Sequence, residues 1–469
     1  MAILRDARTT FEHSIPVAIA GAGACGMTAA LAARDAGVEV LVLERDRRPW
    51  GSTSMSIGAM CAAASRQHAA HGIEDSAERF VADVMAKTAG RADPRLTQVV
   101  ACRSGPTVDW LTERHDVPLA LDFNWTSLGH SVPRLHMPPG RSGEELLALL
   151  GRAADRAGAP LMTEARVRDL LVDASDRVRG VRLERPDGST EDLGVGALVL
   201  ATCGFGADRE RIARCIPEMA GALYFGHEGN DGDAMRWGEA LGAALADMSA
   251  YQGLGTVAEP QRVIVPHPLL LGGGFMVNLL GERFTHENAN ISAMCVPVIA
   301  QPRGLAWVVF DQQRHAQCLE HSGEQRQLAA IGAIRRGDDW GELERACALP
   351  AGSLAREAEA IAVARRSATP DRYGRRFDDS AALRPPYLAV RVTGALFHTQ
   401  GGLVVDEHAQ VLRADGRALP NLFAGGGAAR SISGPEVTGY LPGMGLCMAI
   451  TLGRIAGEAA ARLALQDAR

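Results

Sequence analysis

The sequence has no pair of cysteines at C-x-x-C spacing, and its nine cysteines are an odd number. Those two lacks argue against a disulfide framework, a zinc site or an attached c-type haem, so no metal is expected. An apolar leader is missing as well: MAILRDARTTFEH, residues 1–13, has no continuous hydrophobic core and does not read as a signal peptide. The most apolar later run, Val263–Gly281, is interrupted by Pro266, Pro268 and glycines, so no membrane span is expected. Repeats, low-complexity tracts and long charge blocks are absent. A net charge of −6 gives no reason to expect nucleic acid or an anionic membrane as partner. What is left, with 469 residues, 47% hydrophobic side chains and 52 glycines, suits an α/β enzyme of more than one domain with many tight turns. A cytoplasmic location is the expectation.

The most informative stretch is Ile15–Glu44. Val17, Ala18, Ile19 and Ala20 form a short apolar run suited to a buried parallel strand. Gly21, Gly23 and Gly26 follow as G-x-G-x-x-G: the first permits a tight turn, the second lets a pyrophosphate approach the backbone, and the third lets a helix pack closely on the sheet. The helix start at Ala24 offers free N–H groups and a positive dipole end to phosphates. Val38–Leu43 gives the next strand, ending at Glu44, whose carboxylate suits two ribose hydroxyls and repels a 2′-phosphate. Strand, glycine turn, helix, strand and acid in that order make a dinucleotide site.

Along the rest of the chain, Gly51, Ser52, Thr53, Ser56 and Gly58 supply hydroxyls and unshielded backbone after Glu44 and Arg45. Ser76–Glu113 has helical spacing, with a break expected near Pro106. His130, Arg134 and His136 lie in a loop-like segment that either lines a substrate entrance or is solvated. Ser142–Ala157 reads as a capped helix, and Leu161–Glu184 as a small antiparallel sheet with a turn at Pro186–Gly188. Ala197–Gly206 is a buried strand opening into a glycine turn, carrying Thr202 and Gly204 toward a cofactor and Cys203 as a small buried residue. Asp233 starts a helix, where it either holds a cofactor hydroxyl or caps the helix. From Tyr251 to about Gly394 the pattern changes: a hairpin turning at Leu280–Gly281, a strand at Arg303–Phe310 and a helical stretch over Gln312–Arg366. Sheet pattern then returns and leads into a last helix entered through Gly439, Gly443 and Gly445. The N–H groups of such a helix start stabilise negative charge placed before it.

The order of motifs resembles one family. GAGACG with Glu44, GSTSMSIG, ATCGFG, NDGDAM, MVNLLGERFTHEN, HTQGGLVVD, LPNLFAGGG and GYLPGMGL…LGRIAG are similar to the flavoproteins of succinate dehydrogenase and fumarate reductase, a family that includes 3-ketosteroid and tricarballylate dehydrogenases. The resemblance implies an α/β fold: a Rossmann-like FAD-binding domain, 1–250 and 395–469, with an inserted α+β capping domain, 251–394, closing a substrate cavity. It implies FAD, non-covalent here because no histidine occupies the segment after Glu44. The cofactor contacts carried over are Gly21, Gly23, Ala24, Gly26, Glu44, Arg45, Ser52, Thr53, Gly58, Val167, Thr202, Gly204, Asp233, Gly426, Gly443 and Leu446.

Departures from the family pattern bear on function. Ile291 stands where fumarate reductases carry a proton-donating arginine, Leu254 aligns with a substrate histidine, and Tyr440 replaces a substrate arginine; His398 of the HTxGG motif remains. Losing two arginines removes the clamps a small dicarboxylate needs. A tricarballylate-like pocket has Arg283, Arg430 and Arg134 available, of which Arg283 is read as hairpin support through Glu287. The frame around Tyr440 resembles ketosteroid 4,5-dehydrogenases, which implies that Tyr440 and the Gly443 N–H hold a ketone oxygen. The expected activity is desaturation α,β to a carbonyl on a cyclic or ketosteroid-like small molecule, with an external electron acceptor, a quinone or another. Tyr251, His267, His286 and His398 are the candidate bases, with Tyr440, His398, Gly443 and Tyr251 the catalytic set. The alternatives are the reverse reaction, reduction of an enone or unsaturated acid, and a flavin-binding subunit that serves a partner.

Overall fold

The computed structural model describes residues 2–5, 10–377 and 380–467. The chain divides into two compact units: Met1–Ile216, Gly226–Tyr251 and His398–Arg469 form unit 1, and Pro217–Phe225 with Gln252–Phe397 form unit 2.

Unit 1 is built on β1 (His13–Ala20), α1 (Ala24–Asp35) and β2 (Val40–Leu43). β1 and β2 pair in parallel from Val17↔Val40 to Ala20↔Leu43. The apolar ends of both strands are buried, as strands covered on both faces must be. α1 is rich in alanine, and its residues Ala24–Ala33 are all buried, so small side chains let it sit between neighbours on several sides. Next come β3 (Met60–Cys61), α2 (Pro94–His115) and β4 (Leu135–Met137), with β3 and β4 antiparallel in a small separate sheet. Pro106 lies inside α2 without ending it. Buried Val100, Val108 and Leu111 hold the helix on both sides of the proline, and that packing outweighs the roughly 3 kcal/mol cost of an interior proline.

After α3 (Gly143–Arg156), the strands β5 (Arg166–Val172), β6 (Val178–Glu184) and β7 (Thr190–Leu200) form an antiparallel meander. The expected turn after Glu184 is there, closed by the Gly188 N–H on the Arg185 carbonyl. β7 runs on beside β1 in parallel, joining the meander to one nine-stranded sheet among the described residues.

The chain first enters unit 2 at β8 (Leu223–Tyr224), within a segment assigned from sequence to the first domain. Parallel pairing of Leu223 with Ala395 and Tyr224 with Leu396 draws it there, a contact no local pattern announces. It returns through α4 (Asp233–Ala240) of unit 1 and re-enters unit 2 along β9 (Tyr251–Ala258). The strands β10 (Phe275–Asn278), β11 (Leu305–Asp311), β12 (Ile334–Gly337) and β13 (Tyr387–Thr399) complete a six-stranded sheet among the described residues. All of β11 is buried, with one apolar cluster around Val308 and Phe310 and another around Trp307 and Val309.

Two expectations change here. The turn at Gly281 forms, with the Asn278 N–H on the Glu282 carbonyl, but the second arm of the hairpin is not a strand. β10 pairs with β11 instead, and residues 283–287 leave the sheet because Arg283 and Glu287 carry buried charges that must find partners. The helical stretch Gln312–Arg366 is also interrupted by β12, which the β13 edge captures.

β13 carries the chain back into unit 1 at His398, where β14 (Ala418–Ala424) pairs with β7 and α5 (Met444–Asp467) closes the fold. α5 is the one helix among the described residues that is long and apolar enough to cross a membrane, yet 78% of its apolar window is buried. It packs so closely on α1 that a Cβ at Gly457 would come 2.2 Å from the Ala29 carbonyl oxygen. It is a core helix.

Candidate active site

The glycine turn between β1 and α1 is a cradle that side chains would fill. Gly21 has φ +105°, and a Cβ at Gly26 would fall 1.8 Å from the Gly21 carbonyl oxygen. Helix and turn therefore touch backbone to backbone, leaving the first N–H groups of α1 facing outward. The Ala24 N–H is met at 3.0 Å by Thr53 Oγ1, and Gly23 abuts the same hydroxyl. Glu44 is buried at the end of β2, with Oε2 accepting from the Ala22 N–H and Oε1 from the Asp46 N–H, both at 3.0 Å. Burial raises its pKa against the pull of those donors. Each oxygen keeps a further lone pair, which a ribose hydroxyl can use.

Around this cradle Ser52 Oγ lies 3.3 Å from Cys203 Sγ and accepts from Asn230 Nδ2 at 3.1 Å. Cys203 takes a left-handed backbone, φ +63°, at the mouth of the turn after β7. Thr202 Oγ1 and Arg45 Nη1 are buried without a hydrogen-bond partner among the described residues. Orphaned polar atoms beside a glycine turn fit a polar ligand such as the dinucleotide. Asp233 is the first residue of α4 rather than its cap, which is Gly232, and its carboxylate accepts from Arg236 Nη1 at 3.0 Å. Burial and the neighbouring Asp231 raise its pKa. Gly58 and Gly426 both have positive φ, Val167 and Leu446 are buried, and Gly204 packs against Thr399 Oγ1.

The second constellation stands at the start of α5. Tyr440 and His398 meet edge to face with ring centroids 5.6 Å apart. Gly445 lies between them: a Cβ there would be 3.2 Å from His398 Nε2 and 3.7 Å from Tyr440 Oη. The Gly445 N–H, one of the free donors of the helix start, faces the Tyr440 oxygen and tempers the rise in the phenol's pKa. Burial drives the phenol's pKa up, with the thiols of Cys61 and Cys447 adding to the rise, so the group keeps its proton. Burial likewise lowers His398 to about 4, and the ring is neutral at pH 7. Both residues are half-buried. Gly443, φ +83°, is held so close to β3 that a Cβ would sit 2.7 Å from the Cys61 nitrogen.

Other candidates do not join this pair. Tyr251 has no accessible surface, so a substrate in this structure cannot reach it. The three residues of the supposed entrance are spent internally. His130 Nε2 lies 3.0 Å from the Pro442 carbonyl, His136 Nε2 lies 2.8 Å from Ser65 Oγ, and Arg134 pairs with Asp75 and Asp83. Arg430 is bound to Asp247 and Asp93. Arg283 holds Glu287 through two bonds of 2.9 and 3.0 Å, and Arg375 reaches the same carboxylate at 2.8 Å. All three arginines considered for a cationic pocket are thus neutralised. In unit 2 the ring nitrogens of His267 are buried and unpartnered among the described residues, while His286 Nδ1 accepts from the Asn288 N–H. Leu254 and Ile291 fall into one apolar cluster with Leu223, Ala395 and the stacked rings of Phe225 and Phe397. Sequence reasoning passed over Gln400, whose Nε2 lies 2.7 Å from His398 Nδ1. The amide inside HTQGG was the signal available.

Comparison with known proteins places this geometry. A family model described as an FAD binding domain matches residues 16–445. The probable fumarate reductase Ifc3 of Shewanella frigidimarina is 29% identical over 97% of this chain and 76% of its own length. The 4-oxocyclohexanecarboxylate 2-dehydrogenase of Sinomonas cyclohexanicum is 28% identical over 96% of this chain and 93% of its own. The crystal structure of 3-ketosteroid Δ4-(5α)-dehydrogenase from Rhodococcus jostii RHA1, in complex with 4-androstene-3,17-dione, matches with a TM-score of 0.76 at 25% identity, covering 98% of this chain and 99% of that one. The cradle, the orphaned polar atoms beside it and a family match over nearly the whole chain agree. The chain belongs to the FAD-binding flavoproteins of the succinate dehydrogenase and fumarate reductase type, and is an FAD-dependent oxidoreductase that acts on carbon–carbon bonds.

Proposed function

We propose that this protein is a dehydrogenase that introduces a C=C bond α,β to the carbonyl of a cyclic ketone or ketosteroid-like substrate. The observation that carries the reading is the pair of neutral side chains, Tyr440 and His398, converging at the start of α5. A carboxylate is held by cations, whereas a ketone oxygen is held by neutral donors that strengthen as it gains charge. Supporting this, Arg134, Arg283 and Arg430 are each committed to carboxylates of the protein.

Bound FAD supplies the acceptor for the β-hydride. The chain's residues would hold the substrate oxygen and the cofactor. Tyr440 Oη donates a hydrogen bond to the substrate oxygen and lowers the pKa of the α-carbon. The N-terminus of α5 places further N–H groups and a positive dipole end beside that charge. Gly21, Gly23, Ala24, Gly26, Glu44, Ser52, Thr53 and Thr202 would hold the dinucleotide, without a covalent bond. The same donors serve the reverse reaction, and similarity to a fumarate reductase of Shewanella frigidimarina favours a reductase of an enone or unsaturated acid as the second reading.

The test is an anaerobic spectral titration of the purified flavoprotein with saturated cyclic ketones, ketosteroids and C4–C6 carboxylic acids. Bleaching of the visible flavin band by a saturated ketone is the expected result. Reoxidation of chemically reduced flavin by an enone, with no bleaching by any saturated compound, overturns the dehydrogenase in favour of the reductase.

A further inference from the structure

We propose that Gln400 is a positioning residue that fixes His398 as its Nε2–H tautomer, so that His398 is a hydrogen-bond donor to the substrate and not the base. This rests on the reading of Tyr440 and His398 as the groups that hold the substrate oxygen.

Gln400 belongs to a chain of buried polar groups, each with its partner. Gln400, Ser431 and Ser433 are all nearly inaccessible. The backbone of Gln400 is pinned twice, its N–H on the Ala250 carbonyl at 2.8 Å and its carbonyl on the Ser431 N–H at 2.9 Å. Ser433 Oγ donates to Gln400 Oε1 at 2.9 Å, and Ser431 Oγ lies 3.2 Å from Ser433 Oγ. The carboxamide is oriented with its oxygen on the Ser433 hydroxyl and its NH2 toward His398, 2.7 Å from Nδ1. An NH2 group has protons and no lone pair to offer, so Nδ1 must accept. Burial keeps the ring neutral, and a neutral imidazole carries one proton. That proton is therefore on Nε2, the nitrogen beside Gly445 and Tyr440 Oη. Every proton in the series Ser431, Ser433, Gln400, His398 points the same way, an arrangement in which each bond polarises the next.

The consequence is chemical. Tyr440 O–H and His398 Nε2–H are two neutral donors at one place, which suits a single oxygen with two lone pairs. A ketone becoming an enolate is such an oxygen. His398 has no lone pair left for the α-proton, so a different group accepts it.

The experiment uses holoenzyme labelled with 15N-histidine and long-range 1H–15N correlation spectra from pH 8 to 5. The His398 resonances are assigned by their disappearance in His398→Gln. Nδ1 is expected to be unprotonated and Nε2 protonated throughout that range. A protonated Nδ1, or a ring that gains a second proton above pH 6, overturns the proposal. Gln400→Glu keeps the size but offers Nδ1 a carboxylate, which can only accept. It is expected to move the ring proton to Nδ1, bring a histidine titration into the pH profile, and lower kcat on the order of 10²-fold with a smaller change in KM. Gln400→Met fills the same volume without a donor and is expected to give a mixture of tautomers. An Nδ1 that stays unprotonated in Gln400→Glu overturns the role of Gln400. A proton that moves while kcat stays unchanged leaves Gln400 as the tautomer-setting residue and overturns the reading of His398 as a substrate ligand.

Discussion

Replacing Tyr440 by phenylalanine removes one oxygen from the start of α5 and little else. The ring that meets His398 at 5.6 Å is kept, as is the packing beside Gly445. The donor it loses faces an oxygen that gains negative charge as the α-proton leaves. Loss of one such donor from a water-excluded site costs about 3 kcal/mol in the transition state, on the order of 10²-fold in kcat. The same bond to an uncharged ketone is worth about 1 kcal/mol, so KM should rise only a few-fold. The FAD cradle of β1, α1 and β2 is untouched, so flavin content should stay at the wild-type level. The assay is anaerobic stopped-flow reduction of the flavin by a saturated cyclic ketone, read against flavin bound per chain. Because burial holds the phenol's pKa above the ordinary 10.0, the wild-type rate should show no loss from tyrosine ionisation below pH 10. A variant with full flavin and a rate within about threefold of wild type, against the 10² expected for a lost oxyanion donor, would refute the role given to Tyr440.

Acid should destabilise this protein through its buried neutral histidines. Burial lowers His130 and His267 to about 4 and His136 to about 3, against an ordinary 6.5. A folded pKa below the unfolded one means their contribution is full above pH 6.5 and is lost as pH falls toward the folded value. By pH 4 each costs about 3 kcal/mol. The guanidinium midpoint measured from pH 7 to 4 should therefore fall steeply below pH 6, and a flat profile would contradict neutral burial of these rings. Gly26→Ala would place a methyl 1.8 Å from the Gly21 carbonyl oxygen. Backbone against a new Cβ cannot yield by rotamer change, so a loss of about 3 kcal/mol and a drop in flavin content are expected. A thermal midpoint and flavin ratio equal to wild type would show that α1 can retreat from the turn.

The cofactor half was readable because its chemistry is local. Gly21, Gly23 and Gly26 are close in the chain, the strand patterns on either side are continuous, and Glu44 is positioned by the strand that ends there. Roles that depend on a partner far away in sequence were not readable in the same way. Arg134 sits in a segment rich in His, Trp and Pro and looked like a ligand residue, but Asp75 and Asp83 neutralise it across 59 and 51 positions. Arg430 looked free until Asp93 and Asp247 closed on it. Tyr251 has the chemistry of a base, and packing denies it any surface. Pro106 signals a break that burial on both sides overrides.

By itself the sequence pointed to a dinucleotide-binding strand, glycine turn and helix at Gly21, Gly23 and Gly26, and to Glu44 at the end of the next strand. These follow from residue type at short spacing, where covalent geometry leaves few options. Only the tertiary structure decided which charges are paired, that Tyr251 is fully buried, and that Gln400 stands beside His398. Ser433 is 33 residues from Gln400, and Gly445 is far from His398 in the chain but beside it in space. Hydrogen-bond direction and burial are properties of groups brought together by folding, and no spacing in the chain encodes them.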